Sequence, residues 1–246
     1  MATHNTPQPN TAAATSVPTP IPATPAYTLP ANLKSRIKVT YDEIGPRYNI
    51  LTMNDPLHRI AYLDKLKSYL LSPPPSSALK ILELGAGAGE PVTAALLRDG
   101  RFHVTANDIS TTQVVLGRAL CGGVESRLDW IEADMIDLEF PDGEFDGVMG
   151  FYSLMHLPRD EQTVMFGRIR RWLRPGGYVL MNFYGGDIAG VEWTGWYIPG
   201  DWMFWSGWGP EGTVRRIEEA GLEVVFSEVK EDAPDHSFLW VIARAP

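Results

Sequence analysis

The sequence has few of the residues that build disulfides and metal clusters. Cys121 is the only cysteine among 246 residues, so an intramolecular disulfide cannot form and a cysteine-based zinc site lacks its ligands. We expect its thiol to be buried near a helix end. The five histidines are scattered without i, i+4 pairs, which gives a histidine metal site no local support. The sequence therefore predicts no metal ion.

Long apolar runs and an excess of basic residues are also absent. No apolar stretch approaches the roughly 20 residues that a helix needs to cross a bilayer, so we predict no membrane insertion. The formal net charge is −9, which disfavours nucleic acid as a partner, because phosphate backbones are held by clustered Lys and Arg. A small or cationic ligand suits this charge better. The composition, 44% hydrophobic and 21% charged, is typical of a globular protein.

Residues 1–30 contain no Asp, Glu, Lys or Arg and are dominated by Thr, Pro and Ala. Such a segment has too little large apolar surface to offset the entropy lost on ordering, so we predict a disordered tail. It lacks the positive start and apolar core of a signal peptide, and the arginines of a transit peptide. A cytoplasmic location follows by default. Residues 31–246 are then predicted to form a single domain.

Helix and strand patterns alternate along this domain. Residues 31–76 are predicted to be a helical cap, in which a short helix over 34–44 ends at Gly45–Pro46 and a second helix runs from 57 to the prolines at 73–75. Strands are predicted over 79–84, 102–107, 128–132, 145–151 and 178–184, with helices between them. Two further strands, 222–229 and 238–244, are joined by a link too short for a helix and should pair antiparallel.

This order predicts an α/β fold with a Rossmann-like, doubly wound sheet of seven strands. The sheet is mostly parallel with an antiparallel edge strand, and helices cover both faces. Residues 186–209 interrupt the pattern and hold five of the chain's eight tryptophans. Their glycines and aromatic side chains favour an apolar lid for a hydrophobic or planar ligand, although a well-packed insertion explains the same composition.

A glycine-rich turn follows the first predicted strand. Gly85, Gly87 and Gly89 remove side chains where the backbone turns sharply and a ligand can lie against it. The dinucleotide pattern G-x-G-x-x-G fails, because Glu90 occupies its third glycine position. A carboxylate at this helix N-terminus would repel a pyrophosphate, so a ligand without phosphate is preferred. Asp108 ends the second strand and can accept hydrogen bonds from ribose hydroxyls, which keeps a nucleoside in consideration.

Four segments carry a family resemblance: Glu83–Gly89, Asp108, Ala133–Met135 and Leu173–Gly177. They resemble the motifs of class I S-adenosylmethionine-dependent methyltransferases, and more narrowly of the UbiE-like small-molecule methyltransferases. The resemblance covers roughly residue 41 to the C-terminus. It implies S-adenosylmethionine as cofactor and methyl transfer to O, N, S or C of a small, apolar or aromatic acceptor by in-line displacement.

The same resemblance implies where the cofactor lies. Glu83 would sit under its methionyl end, Gly85 and Gly87 against its backbone, and Asp108 on its ribose. Ile109 and Met135 would pack at the adenine, and Asp134 would accept a hydrogen bond from the exocyclic amine. The remaining implied cofactor contacts are Ala86, Gln113 and Phe151.

His156, just after the fourth predicted strand, is the best candidate for a catalytic base. A histidine titrates near neutrality and can take a proton from an acceptor that arrives protonated. A histidine that hydrogen-bonds a loop backbone is the alternative. Aromatic side chains are the candidates for acceptor binding, although core packing is an alternative for the tyrosines; these candidates are Tyr41, Tyr48, Tyr152, Trp193, Trp196 and Trp202.

Three other functions compete with methyl transfer to a small molecule. A protein of this fold that binds S-adenosylmethionine for a cofactor-assisted rearrangement, or as a regulatory partner, would form no S-adenosylhomocysteine. An NAD-dependent oxidoreductase is disfavoured by Glu90. Metal-assisted methylation is disfavoured because no compact cluster of acidic or histidine ligands is visible locally.

Overall fold

A computed structural model describes residues 27–53, 57–122, 125–233 and 236–246. Most of the tail predicted over residues 1–30 lies outside these ranges. The helices are α1 Leu33–Met53, α2 Leu57–Leu70, α3 Val92–Asp99, α4 Thr111–Leu120, α5 Arg159–Trp172 and α6 Gly209–Glu219. The strands are β1 Leu79–Leu84, β2 Phe102–Asp108, β3 Leu128–Glu132, β4 Phe145–Gly150, β5 Leu173–Tyr184, β6 Asp187–Thr194, β7 Trp202–Trp208, β8 Glu223–Ala233 and β9 His236–Arg244.

Seven strands form one sheet in the order β3-β2-β1-β4-β5-β9-β8. The first five pair in parallel, and β9 pairs antiparallel with both β5 and β8. The predicted seven-stranded, mostly parallel sheet with an antiparallel edge region is therefore confirmed. Within that region β9 lies between β5 and β8. The second strand of the terminal hairpin therefore pairs with the parallel part of the sheet, and the first strand, β8, forms the edge. This order reverses direction at β1 and β4, which makes their carboxyl ends the switch point of the fold.

Two clusters of buried apolar side chains cover the two faces of the sheet. The first joins α1, α2 and α3 to β1, β2 and β9, with Leu63 and Trp240 among its buried members. The second packs α5 and α6 on the opposite face, around Phe166 and Trp172. The burial of these apolar side chains is the main favourable term in folding. Cys121 is buried, as expected, and lies at the end of α4.

The prediction that the first helix ends at Gly45–Pro46 is wrong, because α1 continues through Pro46 to Met53. Proline has no N–H to donate to the carbonyl four residues earlier, here that of Asp42. The Thr112 hydroxyl, from the start of α4, donates to this carbonyl at 3.0 Å instead. A neighbouring helix thus supplies the missing donor, and Tyr48 lies within a helix rather than in a loop.

The tryptophan-rich residues form a separate β-hairpin. β6 and β7 pair antiparallel in a two-stranded sheet that is not part of the main one. The hydroxyl of Tyr27 donates to Glu192 on β6 at 2.8 Å, so the packed chain includes the last residues of the predicted tail. The Thr40 hydroxyl of α1 donates to the Trp202 carbonyl of β7 at 2.7 Å, which ties the hairpin to α1. Over the described ranges, no helix is both long and apolar enough to cross a membrane.

Candidate active site

A cleft opens at the switch point of the sheet, where ligands bind in open α/β folds. The space within it is about 620 Å³ when the open solvent at its mouth is included. Residues from α1, from the ends of β1 to β4 and from the segment after β4 line it. Ten residues expected from the sequence are among them: Tyr41, Tyr48, Gly85, Asp108, Ile109, Asp134, Met135, Phe151, Tyr152 and His156.

The glycine turn after β1 forms one wall of the cleft. Gly85 has φ +68°, and a Cβ placed there would lie 2.4 Å from the Cβ of Ser153. Gly87 has φ +57°, and its N–H donates to Oδ2 of Asp108 at 2.8 Å. L-residues with side chains rarely adopt such positive φ angles. This backbone conformation therefore requires glycine at both positions. The Gly87 hydrogen bond joins the turn to the carboxyl end of β2.

Asp108 holds a buried carboxyl group between two backbone donors. Oδ2 accepts from Gly87, and Oδ1 accepts from the Ser110 N–H at 2.8 Å. Burial raises the pKa of Asp108 to about 6, although both hydrogen bonds favour the charged form. Each oxygen keeps a further lone pair. The group is thus fixed in place while it can still accept hydrogen bonds from a ligand.

Glu83 lies beneath the glycine turn and does not line the cleft. Its side chain is 4% exposed and accepts a hydrogen bond from the Thr93 hydroxyl of α3. Burial raises the pKa of Glu83 to about 7, and the nearby Arg59 opposes this shift. A buried carboxyl group with such a pKa is half protonated near neutrality.

Asp134, expected from the sequence to bind the adenine amine, lines the cleft just after β3. Its Oδ1 accepts from the Ile136 N–H at 3.2 Å, and its Oδ2 pairs with Nζ of Lys34 at 3.0 Å. Lys34 also pairs with Glu161. This lysine of α1 therefore bridges two carboxylates across the mouth of the cleft, a contact that the sequence did not reveal.

His156 has a hydrogen-bond partner at each ring nitrogen. Nδ1 lies 2.9 Å from the Phe204 carbonyl oxygen of β7, and Nε2 lies 2.9 Å from the Tyr41 hydroxyl of α1. The side chain is 8% exposed. Burial lowers the pKa of His156 to about 4, and the positive charge of Lys34 adds to this effect. The imidazole is therefore neutral at physiological pH. The backbone hydrogen bond of the second alternative is present, and the role of His156 as a base stays a prediction.

Aromatic rings cluster around the Tyr41 hydroxyl. Tyr41 meets Tyr48 edge to face at 5.5 Å between centroids, and Trp196 lies 6.2 Å from Tyr41 and 6.0 Å from Tyr48. Tyr197 adds a further ring at 5.5 Å from Tyr48. The loop between β6 and β7 thus places its aromatic side chains against α1, beside the cleft.

Several predicted residues lie behind the cleft rather than in it. Trp193 packs on Trp205, with centroids 5.6 Å apart, inside the hairpin. Trp202 stacks under Arg36 on the other side of α1, with the guanidinium 3.8 Å from its ring centre. Gln113 is buried and accepts a hydrogen bond from Asn49. Ala86 and Gly87 contribute the backbone of the turn behind Gly85.

The cleft also contains residues that the sequence did not single out. Lys34, Ile37, Asn107 and Ser153 line it. Asn107 donates to the Ile131 and Ala133 carbonyls, and its Oδ1 is buried without a partner among the described residues. Its position next to Asp108, at the end of the second strand, could have identified Asn107 as a site residue from the sequence.

The chemistry of these residues fits S-adenosylmethionine, which carries a sulfonium and an ammonium but no phosphate. Asp108 and Asp134 offer carboxylate oxygens, and the unpartnered Oδ1 of Asn107 offers one further acceptor. Gly85 presents only its backbone to the cleft. Glu90, which ended the dinucleotide pattern, faces Arg98 at 3.3 Å on α3. Among the described residues that line the cleft, Lys34 is the one cationic side chain, so a pyrophosphate would meet little positive charge.

Comparison with known proteins gives matches to methyltransferases. A family model described as a methyltransferase domain matches residues 81–177. The UbiE ubiquinone/menaquinone biosynthesis C-methyltransferase of Methylobacterium nodulans is 27% identical over 164 residues, which cover 65% of this chain and 64% of that protein. The chain thus spans less than two thirds of the length of this relative.

Solved structures share the fold. The [4+2]-cyclase SpnF superposes with a TM-score of 0.66 at 19% identity, over 87% of this chain and 96% of that one. The 1,6-didemethyltoxoflavin-N1-methyltransferase of Burkholderia thailandensis, solved with 1,6-didemethyltoxoflavin and S-adenosylhomocysteine, gives 0.62 at 19% identity, over 89% and 92% of the two chains. Identities this low establish similarity of architecture only.

Proposed function

We propose, from the premise that this chain carries a methyltransferase domain of the class I S-adenosylmethionine-dependent type over residues 81–177, that it methylates a small, apolar or aromatic molecule. The reacting atom is O, N, S or C. One observation carries the proposal: the cleft at the switch point joins the carboxyl groups of Asp108 and Asp134 on one side to a cluster of aromatic rings on the other. The first arrangement suits a cationic nucleoside, and the second suits an apolar acceptor.

S-adenosylmethionine, when bound, supplies an activated methyl group. The residues proposed to hold the cofactor lie at the carboxyl ends of the parallel strands. Gly85 admits the cofactor against the backbone, and Asp108 accepts from its ribose hydroxyls. Asp134 accepts from the adenine amine, while Glu83, beneath the turn, supplies negative charge towards the methionyl end. Flanking contacts come from Ala86, Gly87, Ile109, Gln113, Met135 and Phe151.

The proposed acceptor lies among the aromatic side chains. Tyr41, Tyr48 and Tyr152 line the cleft, and Trp196 packs on the first two. Trp193 and Trp202 support this wall from within the hairpin. Such rings bury a large apolar area and favour a planar partner through stacking. His156 is the proposed base for an acceptor that arrives protonated.

The hairpin over residues 186–209 is proposed to act as a lid on the acceptor side. Its backbone meets the site at Phe204, whose carbonyl contacts His156. It is also tied to α5, since Arg159 donates to the Gly207 carbonyl at 2.9 Å. A hairpin held at its base, with its loop packed on α1 beside the cleft, can cover an acceptor while the cofactor stays in place. A cytoplasmic location and a small-molecule acceptor without nucleic acid remain predictions from the sequence.

Label transfer tests the proposal directly. The purified protein, incubated with S-adenosylmethionine labelled in its methyl group and a metabolite extract, should form S-adenosylhomocysteine and one labelled small molecule. Binding of S-adenosylmethionine with no S-adenosylhomocysteine formed with any extract would instead favour a cofactor-assisted rearrangement or a regulatory role. No binding at all would refute both functions.

The cofactor site has its own test. Asp108→Asn removes the charge and converts one acceptor oxygen into a donor that faces a backbone N–H. We expect S-adenosylhomocysteine to bind at least tenfold more weakly by calorimetry, because charge-assisted hydrogen bonds contribute about 1.5–3 kcal/mol. Asp129→Asn, at an exposed position of β3, should bind as the wild type does. Equal affinity of all three proteins would remove Asp108 from the site.

A further inference from the structure

Both nitrogens of His156 are occupied, and this fixes which of them carries the proton. The Phe204 carbonyl oxygen can only accept, so Nδ1, at 2.9 Å, is the donor. Because the buried imidazole is neutral, Nε2 has only a lone pair. The Tyr41 hydroxyl, 2.9 Å away, therefore donates to Nε2. In this arrangement His156 has no free lone pair for the proton of a ligand.

The Tyr41 hydroxyl also shares a hydrogen bond with the Tyr48 side chain, and its oxygen keeps a lone pair that can accept a proton. A phenolic oxygen that donates its own proton still has lone pairs to accept another. Tyr41 and His156 both line the cleft. The tyrosine oxygen, hydrogen-bonded to Nε2 of His156, thus belongs to the wall of the space in which the methyl acceptor is proposed to bind.

We propose that Tyr41 and His156 form a two-proton relay, in which Tyr41 takes the proton of the acceptor and passes its own proton to His156. This inference rests on the proposed function, whose acceptor must arrive with an O–H or N–H bond. Tyr41 is then the catalytic residue, and His156 is the base that acts through it.

The bonds balance as follows. The O–H or N–H bond of the acceptor breaks, its electron pair stays on the acceptor atom, and a new O–H bond forms at Tyr41. The original O–H bond of Tyr41 breaks, and an N–H bond forms at Nε2 of His156. The tyrosine ends neutral, as it began, and the imidazole gains one positive charge. The acceptor uses the retained electron pair to take the methyl group, and the positive charge lost from the cofactor reappears on the imidazole.

The surroundings disfavour ionisation of either residue alone. Burial raises the pKa of Tyr41 well above its usual value, and Tyr48 and Asp108 add to this effect, against the opposing charge of Arg59. Burial and Lys34 keep His156 neutral. A relay avoids a free tyrosinate, because the hydroxyl gains one proton as it gives up the other. The Phe204 carbonyl then stabilises the imidazolium through Nδ1–H.

Three separate elements hold the relay together. Tyr41 belongs to α1, His156 follows β4, and Phe204 belongs to β7 of the hairpin. The Thr40 hydroxyl, next to Tyr41, donates to the Trp202 carbonyl at 2.7 Å and fixes α1 against β7. Removal of the hairpin contact would release Nδ1 and with it the orientation of Nε2.

The tautomer can be tested on the protein without any acceptor. In protein labelled with ¹⁵N-histidine, the His156 signals, assigned by their loss in His156→Gln, should report a proton on Nδ1 and none on Nε2 at neutral pH. Tyr41→Phe should raise the pKa of His156, because the hydrogen bond that it removes stabilises the neutral ring. A proton on Nε2, or a pKa that Tyr41→Phe leaves unchanged, would overturn the relay.

Kinetics with the acceptor found by label transfer provide the second test. We expect Tyr41→Phe and His156→Gln to lower kcat about 100-fold or more with little change in KM, as loss of a general base does. The double variant should be no slower than the slower single variant. As the pH rises through the pKa of the acceptor itself, the defect of Tyr41→Phe should shrink, because an ionised acceptor gives up no proton.

A matched control removes the hydroxyl of a different tyrosine, Tyr27, which contacts the β6–β7 hairpin. Tyr27→Phe loses the hydrogen bond to Glu192, outside the cleft, and should keep the kcat of the wild type. A Tyr41→Phe defect that is the same at every pH would mean a packing role and refute the relay. If no acceptor is methylated at all, the proposed function fails, whereas the NMR result still decides whether Tyr41 donates to His156.

Discussion

Gly85 lies at the end of β1, where a side chain has no room. A Cβ there would approach the Cβ of Ser153 to 2.4 Å, and φ is +68°. We expect Gly85→Ala to lower the free energy of unfolding by about 2–4 kcal/mol, because overpacking adds to backbone strain. Urea denaturation measures this change, and S-adenosylhomocysteine binding should weaken as well.

Gly100 provides the control for this substitution. It has φ +79°, yet nothing lies within 4 Å of a Cβ placed there. Gly100→Ala should therefore show backbone strain alone, about 1–2 kcal/mol, with cofactor affinity unchanged. Equal losses of stability in the two variants would mean that the contact with Ser153 contributes nothing.

At the same scale, the sequence identified residues whose roles depend on a local motif. The glycine turn and Asp108 follow directly from strand ends, and the structure brings them together through the Gly87 N–H. Lys34 escaped prediction because its partners, Asp134 and Glu161, are distant along the chain. The His156–Tyr41 contact likewise joins residues far apart in sequence. Such pairs become visible only when helices are placed against the sheet.

Among the elements, α1 shows how a neighbouring helix allows a proline within a helix. The Thr112 hydroxyl donates to the Asp42 carbonyl that Pro46 leaves without its helical donor. We expect Thr112→Val to cost about 1–3 kcal/mol in urea denaturation, because a partly buried carbonyl then lacks its partner.

A double-mutant cycle isolates this effect. In a Pro46→Ala background, the N–H of residue 46 can bond to the Asp42 carbonyl, so Thr112→Val should cost less there than in the wild type. An identical cost in both backgrounds would mean that the threonine acts in another way. The predicted helix end is wrong because the donor that replaces the missing proline N–H comes from α4, which lies far along the chain.

The loop of the hairpin depends on one buried carboxylate. Asp201 accepts from the N–H groups of Trp196, Tyr197 and Ile198 at 2.5, 2.7 and 2.9 Å. Asp201→Ala leaves these donors unpaired and should loosen the aromatic loop. We expect the KM of the acceptor to rise about tenfold or more, since each such bond contributes about 1.5–3 kcal/mol, while S-adenosylhomocysteine affinity in calorimetry stays unchanged.

Asp187 serves as the control for the hairpin. It pairs with Arg159 at the base of β6, but its side chain is 74% exposed, and exposed ion pairs contribute little. Asp187→Ala should therefore leave the KM of the acceptor close to that of the wild type. If Asp201→Ala weakened cofactor and acceptor binding equally, the hairpin would be a structural insertion rather than a lid.

At the scale of the whole molecule, the buried carboxyl group of Glu83 makes the free energy of unfolding depend on pH. The pKa of Glu83 is raised from 4.5 to about 7 by burial. The resulting contribution to stability is complete below about pH 4.5 and is lost as the pH rises through about 7. A cationic ligand would offset the cost of the buried charge at higher pH.

Glu83→Gln tests this linkage, because glutamine keeps an acceptor for Thr93 but does not titrate. Between about pH 5 and pH 8, the wild type should lose stability relative to the variant by on the order of 3 kcal/mol. Urea denaturation of both proteins at each pH measures the difference, in which the contributions of other groups cancel. A difference that is independent of pH would mean that Glu83 titrates normally.

The amino-acid sequence by itself determined the fold class, the glycine turn and the acidic ends of the strands. These features rest on local chemistry: strand periodicity, backbone angles that only glycine adopts readily, and carboxylates that follow parallel strands. The tertiary structure alone decided which distant residues meet. Tyr41, His156 and Phe204 come from a helix, a loop after β4 and a hairpin strand, and their hydrogen bonds exist only once these elements pack. Burial set by that packing, rather than residue type, keeps the His156 imidazole neutral where it contacts the Tyr41 hydroxyl.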